Sequence, residues 1–192
     1  GSAFDKHRIQ IFATDIDMDA MAVARKGLFP SASLSHLSKE LVKRYFTPHG
    51  DQYEIGKRIR DLVVFARQDL VQDPPFLRLD LIACRNVLIY FQTELQARLL
   101  SIFHYALNPG GMLFLGRSES VYQQVGLFDV IDKDSRIFRR GSVGATKLPV
   151  FRSDVPMAHR EPLEKPVARV VPGAYEVLLL DAANRYFVPL VV

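Results

Sequence analysis

The chain has a single cysteine, Cys84, so it can close no internal disulfide and cannot build a zinc site from cysteines. That usage fits a reducing compartment, and a cytoplasmic location is expected. No apolar run approaches the ~20 residues that a membrane-spanning helix needs, so membrane insertion is not expected. The opening residues, GSAFDKHR, hold no apolar signal core. Gly1 and Ser2 have the form of a cloning remnant, which predicts a natural chain that continues upstream. G-x-S-x-G, P-loop and G-x-G-x-x-G motifs are all missing. Without a glycine-rich phosphate loop, a complete NAD-binding domain is not expected. The five histidines, His7, His36, His49, His104 and His159, show no metal-ligand spacing, and no metal site is predicted. His104 lies among apolar helix residues and is expected to be a satisfied core histidine. Nor is there a basic stripe with interleaved aromatics. The net charge of +4 comes from interleaved acids and bases, which permits an acidic partner but argues for no nucleic acid.

The residues present are those of a globular protein. With 48% hydrophobic residues in 192, the chain can bury one core and carry an appendage. Arg8 to Thr14 alternates and reads as a strand. Asp15 or Asp17 can cap the following helix, MDAMAVARKG, which stops at Gly27 and Pro30. LSKELVKRYF places Leu37, Leu41, Val42, Tyr45 and Phe46 on one helical face. Residues 47 to 51 form a turn. YEIGKRI and DLVVFARQDL then read as strands that break near Arg60 and Asp61. The apolar run Leu62 to Ala66 predicts a strand buried on both faces.

VQDPPF is a loop forced by two prolines, and LDLIAC is a second buried strand. Thr93 to Gln96 has the form of a capping box that opens a helix with Leu95, Leu99, Ile102, Phe103 and Ala106 inward. Asn108-Pro-Gly-Gly ends that helix and MLFLG is the next strand. SESVYQQVG reads as a short helix. LFDVIDK and SRIFRR, joined at Asp134, read as an antiparallel hairpin. Alternation of this kind predicts an α/β fold with a largely parallel sheet, interrupted by a small antiparallel insert at about residues 45–62. Prolines and glycines predict a linker over 141–172. Residues 173–192 read as a helix and the start of a following domain.

An open parallel sheet binds ligands beyond the carboxyl ends of its strands. Polar residues stand at three such ends: Asp15 and Asp17, then Gln68 and Asp69, then Arg85 and Asn86. A carboxylate there can accept from both hydroxyls of a ribose. The Asp69 carboxylate can accept from an adenine amine while the Leu70 N–H donates to the ring. Each has a plainer alternative: a helix cap for Asp15 or Asp17, a structural ion pair for Arg85, and core packing for Tyr90.

IFATDID, VVFARQDL, DPPF, LDLIACRNVLIYF, NPGGMLFLGRSES and RIFRR follow one another in order. Together they resemble the catalytic domain of the chemotaxis receptor methyltransferases, the CheR family, over residues 7–140. The wording around DPPF and CRN is most similar to hybrid proteins in which a linker, a helix and a PAS-type sensor domain follow. The resemblance implies a partial Rossmann-like class I methyltransferase sheet, S-adenosylmethionine as cofactor and S-adenosylhomocysteine as its product. It also implies O-methylation of glutamate side chains on a chemoreceptor-like protein.

On that resemblance Asp15 is the ribose-binding acid. Asp69 with Leu70, and Arg85 with Asn86, are the cofactor-binding pairs. Tyr90 lies near the transferable methyl, and Arg85 faces the acceptor charge or the cofactor carboxylate. Many family members carry asparagine where this chain has Asp69. The glycine pair of tail-binding members is absent from the insert, so receptor-tail docking is not expected. The family's N-terminal helical domain, first core strand and G-x-S-x-G-E-E loop belong before residue 7 and are not in this sequence. Little or no activity is therefore expected of this stretch alone, unless another chain, such as a second copy in a homo-oligomer, completes the sheet. A module that holds the cofactor or its product as a signal, without transfer, is the alternative function, and an assembly piece is a third.

Overall fold

In a computed structural model of the chain, residues 9–122, 124 and 126–142 are described. They divide into two compact units that part between Asp69 and Leu70. The helix and following domain expected at 173–192, and the linker beyond residue 142, lie outside the described residues.

In the first unit, strand β1 (Ile11–Asp15) runs into helix α1 (Met18–Lys26). Asp17 caps the helix: its Oδ1 accepts from the N–H groups of Asp19 at 2.8 Å and Ala20 at 3.1 Å. Gly27 ends it in the left-handed region at φ 65°, with its N–H bonded to the Ala24 carbonyl. A three-stranded antiparallel sheet follows, formed by β2 (Leu28–Pro30), β3 (Phe46–His49) and β4 (Gln52–Ile55) in the order β2-β4-β3. Helix α2 (Lys39–Tyr45) lies between β2 and β3, capped by the Ser38 hydroxyl. A short helix α3 (Lys57–Arg60) leads to β5 (Val63–Arg67), which pairs with β1 in parallel from Ile11↔Val63 to Asp15↔Arg67.

Several boundaries differ from expectation. The antiparallel sheet reaches back to Leu28, so the insert is wider than 45–62. Thr47, Pro48 and His49 lie in β3, and the turn shrinks to Gly50 and Asp51. Phe46 starts a strand instead of extending α2. Lys57 to Arg60 are helical, not strand, with Gly56 as the cap. The β5 strand is not buried on both faces, since Val64 is 44% exposed. Among the described residues β5 pairs only with β1, and an edge strand of a two-stranded sheet has too few neighbours to cover both faces.

The second unit is built on a βαβ crossover. Strand β6 (Leu79–Cys84) passes through a 3₁₀ turn at Leu88–Tyr90 and helix α4 (Thr93–Ala106) to its parallel neighbour β7 (Leu107–Leu115). Strands β8 (Phe128–Asp132) and β9 (Ile137–Arg140) close the sheet as an antiparallel hairpin, in the order β6-β7-β9-β8. The Asp132 carboxylate accepts the Ser135 N–H in the hairpin turn at 2.6 Å. Helix α4 buries Leu99, Leu100, Ile102, Phe103 and Ala106. Leu113 and Leu115 join this cluster from β7. Met112 and Phe114 alternate with them and pack with Ile137 in a second cluster. Thus β7 is the strand buried on both faces, while Leu81 of the edge strand β6 is 39% exposed.

The capping box does not form. Gln92, not Thr93, is the cap residue of α4, and it makes no side-chain bond there. Instead Gln96 donates to the Phe91 carbonyl at 2.8 Å. Asn108 to Gly111 count within β7, but the register jumps from Leu79↔Leu107 to Leu81↔Met112, so they form a bulge. SESVYQQVG is not helical where it is described: turns join Gly116 to Glu119 and Val121 to Gln124. No described helix is long and apolar enough to cross a membrane.

Candidate functional site

Both units end parallel strands side by side and then place polar residues. In the first, Asp15 is the last residue of β1 and lies beside Arg67, the last of β5. The Gln68 N–H reaches the Asp15 carbonyl at 3.0 Å, which carries the pairing one step further. The Asp15 side chain does not cap α1, because Asp17 does. Its Oδ1 accepts the Asp17 N–H at 3.0 Å, a local turn that fixes the carboxylate at the exposed strand end. The question of which acid serves as helix cap is thereby settled. Asp69, half-buried, follows Gln68 two residues beyond β5.

In the second unit, Cys84 of β6 stands opposite Leu115 of β7. Arg85 and Asn86 leave the sheet directly after Cys84, as their place in the sequence suggests. The Arg85 guanidinium lies over the Phe114 ring, 4.8 Å from its centroid, so a cation–π contact is its observed structural role. Asn86 is exposed and adopts φ 59°, a left-handed conformation that asparagine tolerates better than most residues. Tyr90 closes the 3₁₀ turn and is 81% exposed, which excludes the core-packing alternative. Leu70 is half-buried against the core of this unit.

Glu119, 3% exposed, joins the two loops that follow β6 and β7. Its Oε2 accepts the N–H groups of Gly116 at 2.6 Å and Asn86 at 3.0 Å. Its Oε1 accepts those of Val87 at 2.8 Å and Leu88 at 2.7 Å. Four buried or half-buried donors thus meet one carboxylate, the arrangement that makes a buried charge tolerable. Burial, aided by the neighbouring Glu119 charge, pushes the Cys84 thiol up to about 12, so this cysteine stays neutral and is no nucleophile.

A family model described as "CheR methyltransferase, SAM binding domain" matches residues 2–137. The chain belongs to the CheR methyltransferase family. Its α/β fold is that of a partial Rossmann-like class I methyltransferase sheet with a small antiparallel insert, and its cofactor is S-adenosylmethionine. Among relatives of this CheR domain, the "Uncharacterized 104.1 kDa protein in hypE 3'region" of Rhodobacter capsulatus is 41% identical over 80% of this chain and 16% of that protein. "Chemotaxis protein methyltransferase 2" of Vibrio cholerae is 36% identical over 64% of this chain and 44% of that protein. The chain therefore spans less than half of either relative. Among solved structures, the N-methyltransferase NodS from Bradyrhizobium japonicum WM9, in complex with S-adenosyl-l-homocysteine, aligns at 14% identity and TM-score 0.43, covering 68% of this chain and 66% of that one. A likeness of that size decides nothing.

The sequence placed Arg85, Asn86 and Tyr90 of the CheR domain after a strand, and the structure has them there. It did not single out Glu119. Hydropathy carries no sign of a buried acid. The usable signal was topological: two neighbouring parallel strands end together at Cys84 and Leu115, and the N–H groups beyond them need acceptors that the ladder cannot supply.

Proposed function

We propose that the protein to which this domain belongs transfers a methyl group from S-adenosylmethionine to glutamate side chains of a chemoreceptor-like protein. The match to the CheR S-adenosylmethionine-binding domain over residues 2–137 is the observation that carries this reading. The exposed phenol of Tyr90, four residues beyond Asn86, supports it. So does the Asp15 carboxylate, which is turned at the strand end and released from helix capping. The lone buried Cys84 supports a reducing compartment, and the cytoplasm is the site of action we infer.

S-adenosylmethionine supplies the methyl group on a sulfonium, already activated by its charge. The acceptor glutamate, with a reference pKa of ~4.3, is ionised at neutral pH, so the protein need not remove a proton. The work left to the chain is alignment and exclusion of water. Asp15 would hold a ribose diol, and Asp69 with the Leu70 N–H would hold adenine. Asn86 would position the cofactor through its exposed amide. Arg85 would offset acceptor or cofactor carboxylate charge, and Tyr90 would orient the acceptor at the methyl path.

Labelled methyl transfer to a receptor fragment, with the full-length protein, tests the reading. Tyr90→Phe is expected to lower turnover about tenfold, the worth of one hydrogen bond, with S-adenosylhomocysteine affinity unchanged. Absence of any transfer by the wild type, despite tight product binding, would turn the protein into a cofactor-holding signal module. Calorimetry separates the two neighbouring acids. Asp15→Ala should weaken S-adenosylhomocysteine about tenfold and leave the melting temperature nearly unchanged. Asp17→Ala should cost about 1 kcal/mol of stability through the lost cap. Equal affinity in the wild type and Asp15→Ala would remove Asp15 from the site.

A further inference from the structure

We propose that Glu119 is a positioning residue for methyl transfer: its buried carboxylate fixes the backbone from Asn86 to Leu88 and, through it, the direction of Asn86 and Tyr90. This deepens the functional reading above and rests on it.

The connection can be followed bond by bond. Oε2 holds the Asn86 N–H at 3.0 Å, the residue with φ 59°. Oε1 holds the Val87 and Leu88 N–H groups at 2.8 and 2.7 Å. The carbonyls of those same two residues accept the next pair of donors: Val87 takes the Tyr90 N–H at 3.2 Å and Leu88 takes the Phe91 N–H at 3.0 Å. One carboxylate therefore begins a continuous hydrogen-bonded run that ends at the tyrosine. The fourth bond, to the Gly116 N–H at 2.6 Å, anchors the run to the loop after β7. That loop is in turn closed by the Glu119 N–H on the Gly116 carbonyl at 3.0 Å.

Glu119 acts through backbone and not on a ligand. A carboxylate offers about four lone-pair sites, and backbone donors take four bonds here. At 3% exposure Glu119 presents almost no surface to a cofactor or acceptor. A purely structural buried acid would fix the core. This one fixes the segment that carries Asn86 and Tyr90, so its loss should misdirect them while the sheet beneath survives.

The test is a double-mutant cycle in the full-length protein. Wild type, Glu119→Gln, Tyr90→Phe and the double variant are compared in methyl transfer to a receptor fragment, in S-adenosylhomocysteine affinity and in melting temperature. Glutamine keeps the shape but presents an NH₂ group to two of the four N–H donors. Turnover of Glu119→Gln should fall about 100-fold, the scale of a 1 Å misplacement of reacting groups. The tenfold cost of Tyr90→Phe should shrink to about twofold in that background, because a misdirected phenol has little left to lose. Glu119→Asp, which keeps the charge, should recover part of the turnover. The same factor for Tyr90→Phe in both backgrounds, or normal turnover by Glu119→Gln, would overturn the proposal.

Amide hydrogen exchange supplies a readout that needs neither activity nor a stable variant. In the wild type, the amides of Asn86, Val87, Leu88 and Gly116 should exchange at least about tenfold more slowly than the exposed turn amide of Asp51. Equal rates would overturn the proposal. A wild type that neither transfers methyl nor binds S-adenosylhomocysteine would sink the functional reading, whereas protected amides would leave the tether itself standing.

Discussion

Gly116→Ala is expected to disable the second unit's binding loops more than any other single methyl added to the domain. A Cβ on residue 116 would stand 2.4 Å from Asn86 Oδ1, 2.7 Å from Glu119 Oε2 and 2.9 Å from the Asn86 nitrogen. The first of these could swing aside. The other two cannot: Asn86 N is backbone, and Glu119 Oε2 is held by two N–H bonds. To make room, the carboxylate must leave its donors or the Asn86 turn must move. Overpacking costs about 1–3 kcal/mol, and a buried charged group that loses hydrogen bonds costs a similar amount again. A loss of about 3 kcal/mol in stability is therefore expected, with S-adenosylhomocysteine affinity at least tenfold weaker. Gly110→Ala is the control. At φ 77° it is strained, but nothing lies within 4 Å of its added methyl, so about 1 kcal/mol is expected there and no loss of affinity. Equal effects at both positions in thermal melts and calorimetry would show that glycine's backbone freedom, and not the space at residue 116, is what matters.

Helix α1, the inward face of α4, the strand at MLFLG and the β8–β9 hairpin were legible because local rules and tertiary packing agree at those places. Asp17 and Gly27 bound an amphipathic run, and Leu99, Ile102, Phe103 and Ala106 repeat at helical spacing. The misses lie where long-range pairing overrides local preference. Leu28–Pro30 is three residues long with a proline at its end, and it becomes a strand only because residues 52–54, far along the chain, pair with it. Asn108-Pro-Gly-Gly carries every turn signal, yet its two flanks pair with β6 and make it a bulge inside a strand. Val64 and Leu81 show the opposite limit. Their apolar neighbours predict burial on both faces, but burial depends on how many strands flank them, and each lies in a strand with one partner among the described residues.

The same rule applies to the candidate site. Asp15, Arg85 and Asn86 were visible because a polar residue at the end of an apolar strand stands out, whereas Tyr90, beyond the strand in an apolar run, was pointed to by the family resemblance alone. Glu119 lies within the NPGGMLFLGRSES stretch that carries the resemblance, but its burial was not legible, since a lone acid between two serines looks like any solvated loop.

Acid should unfold the second unit through His104, and the direction of that effect follows from its surroundings. His104 is 1% exposed in α4 and stacks edge-to-face on Phe128 with centroids 5.7 Å apart. Its Nε2 donates to the Gly141 carbonyl at 3.2 Å. Burial lowers its pKa, the bond to Gly141 works against that shift, and the Arg140 charge adds to it. The unfolded chain binds this proton near the ordinary value of ~6.5. Between that value and the lower folded one, the unfolded state carries more protons than the folded state, so stability rises with pH in that window and is lost on acidification. The contribution is complete above about 6.5 and is lost as pH drops through it. His104→Gln cannot take up the proton and should flatten the acid side of the stability profile while keeping a donor for Gly141. His104→Phe should flatten it as well, and should also lose about 1–3 kcal/mol at neutral pH, because the Gly141 carbonyl then remains buried without its donor. Urea melts between pH 5 and 8 read both effects. A profile of the same slope in wild type and His104→Gln would assign the acid sensitivity to other groups.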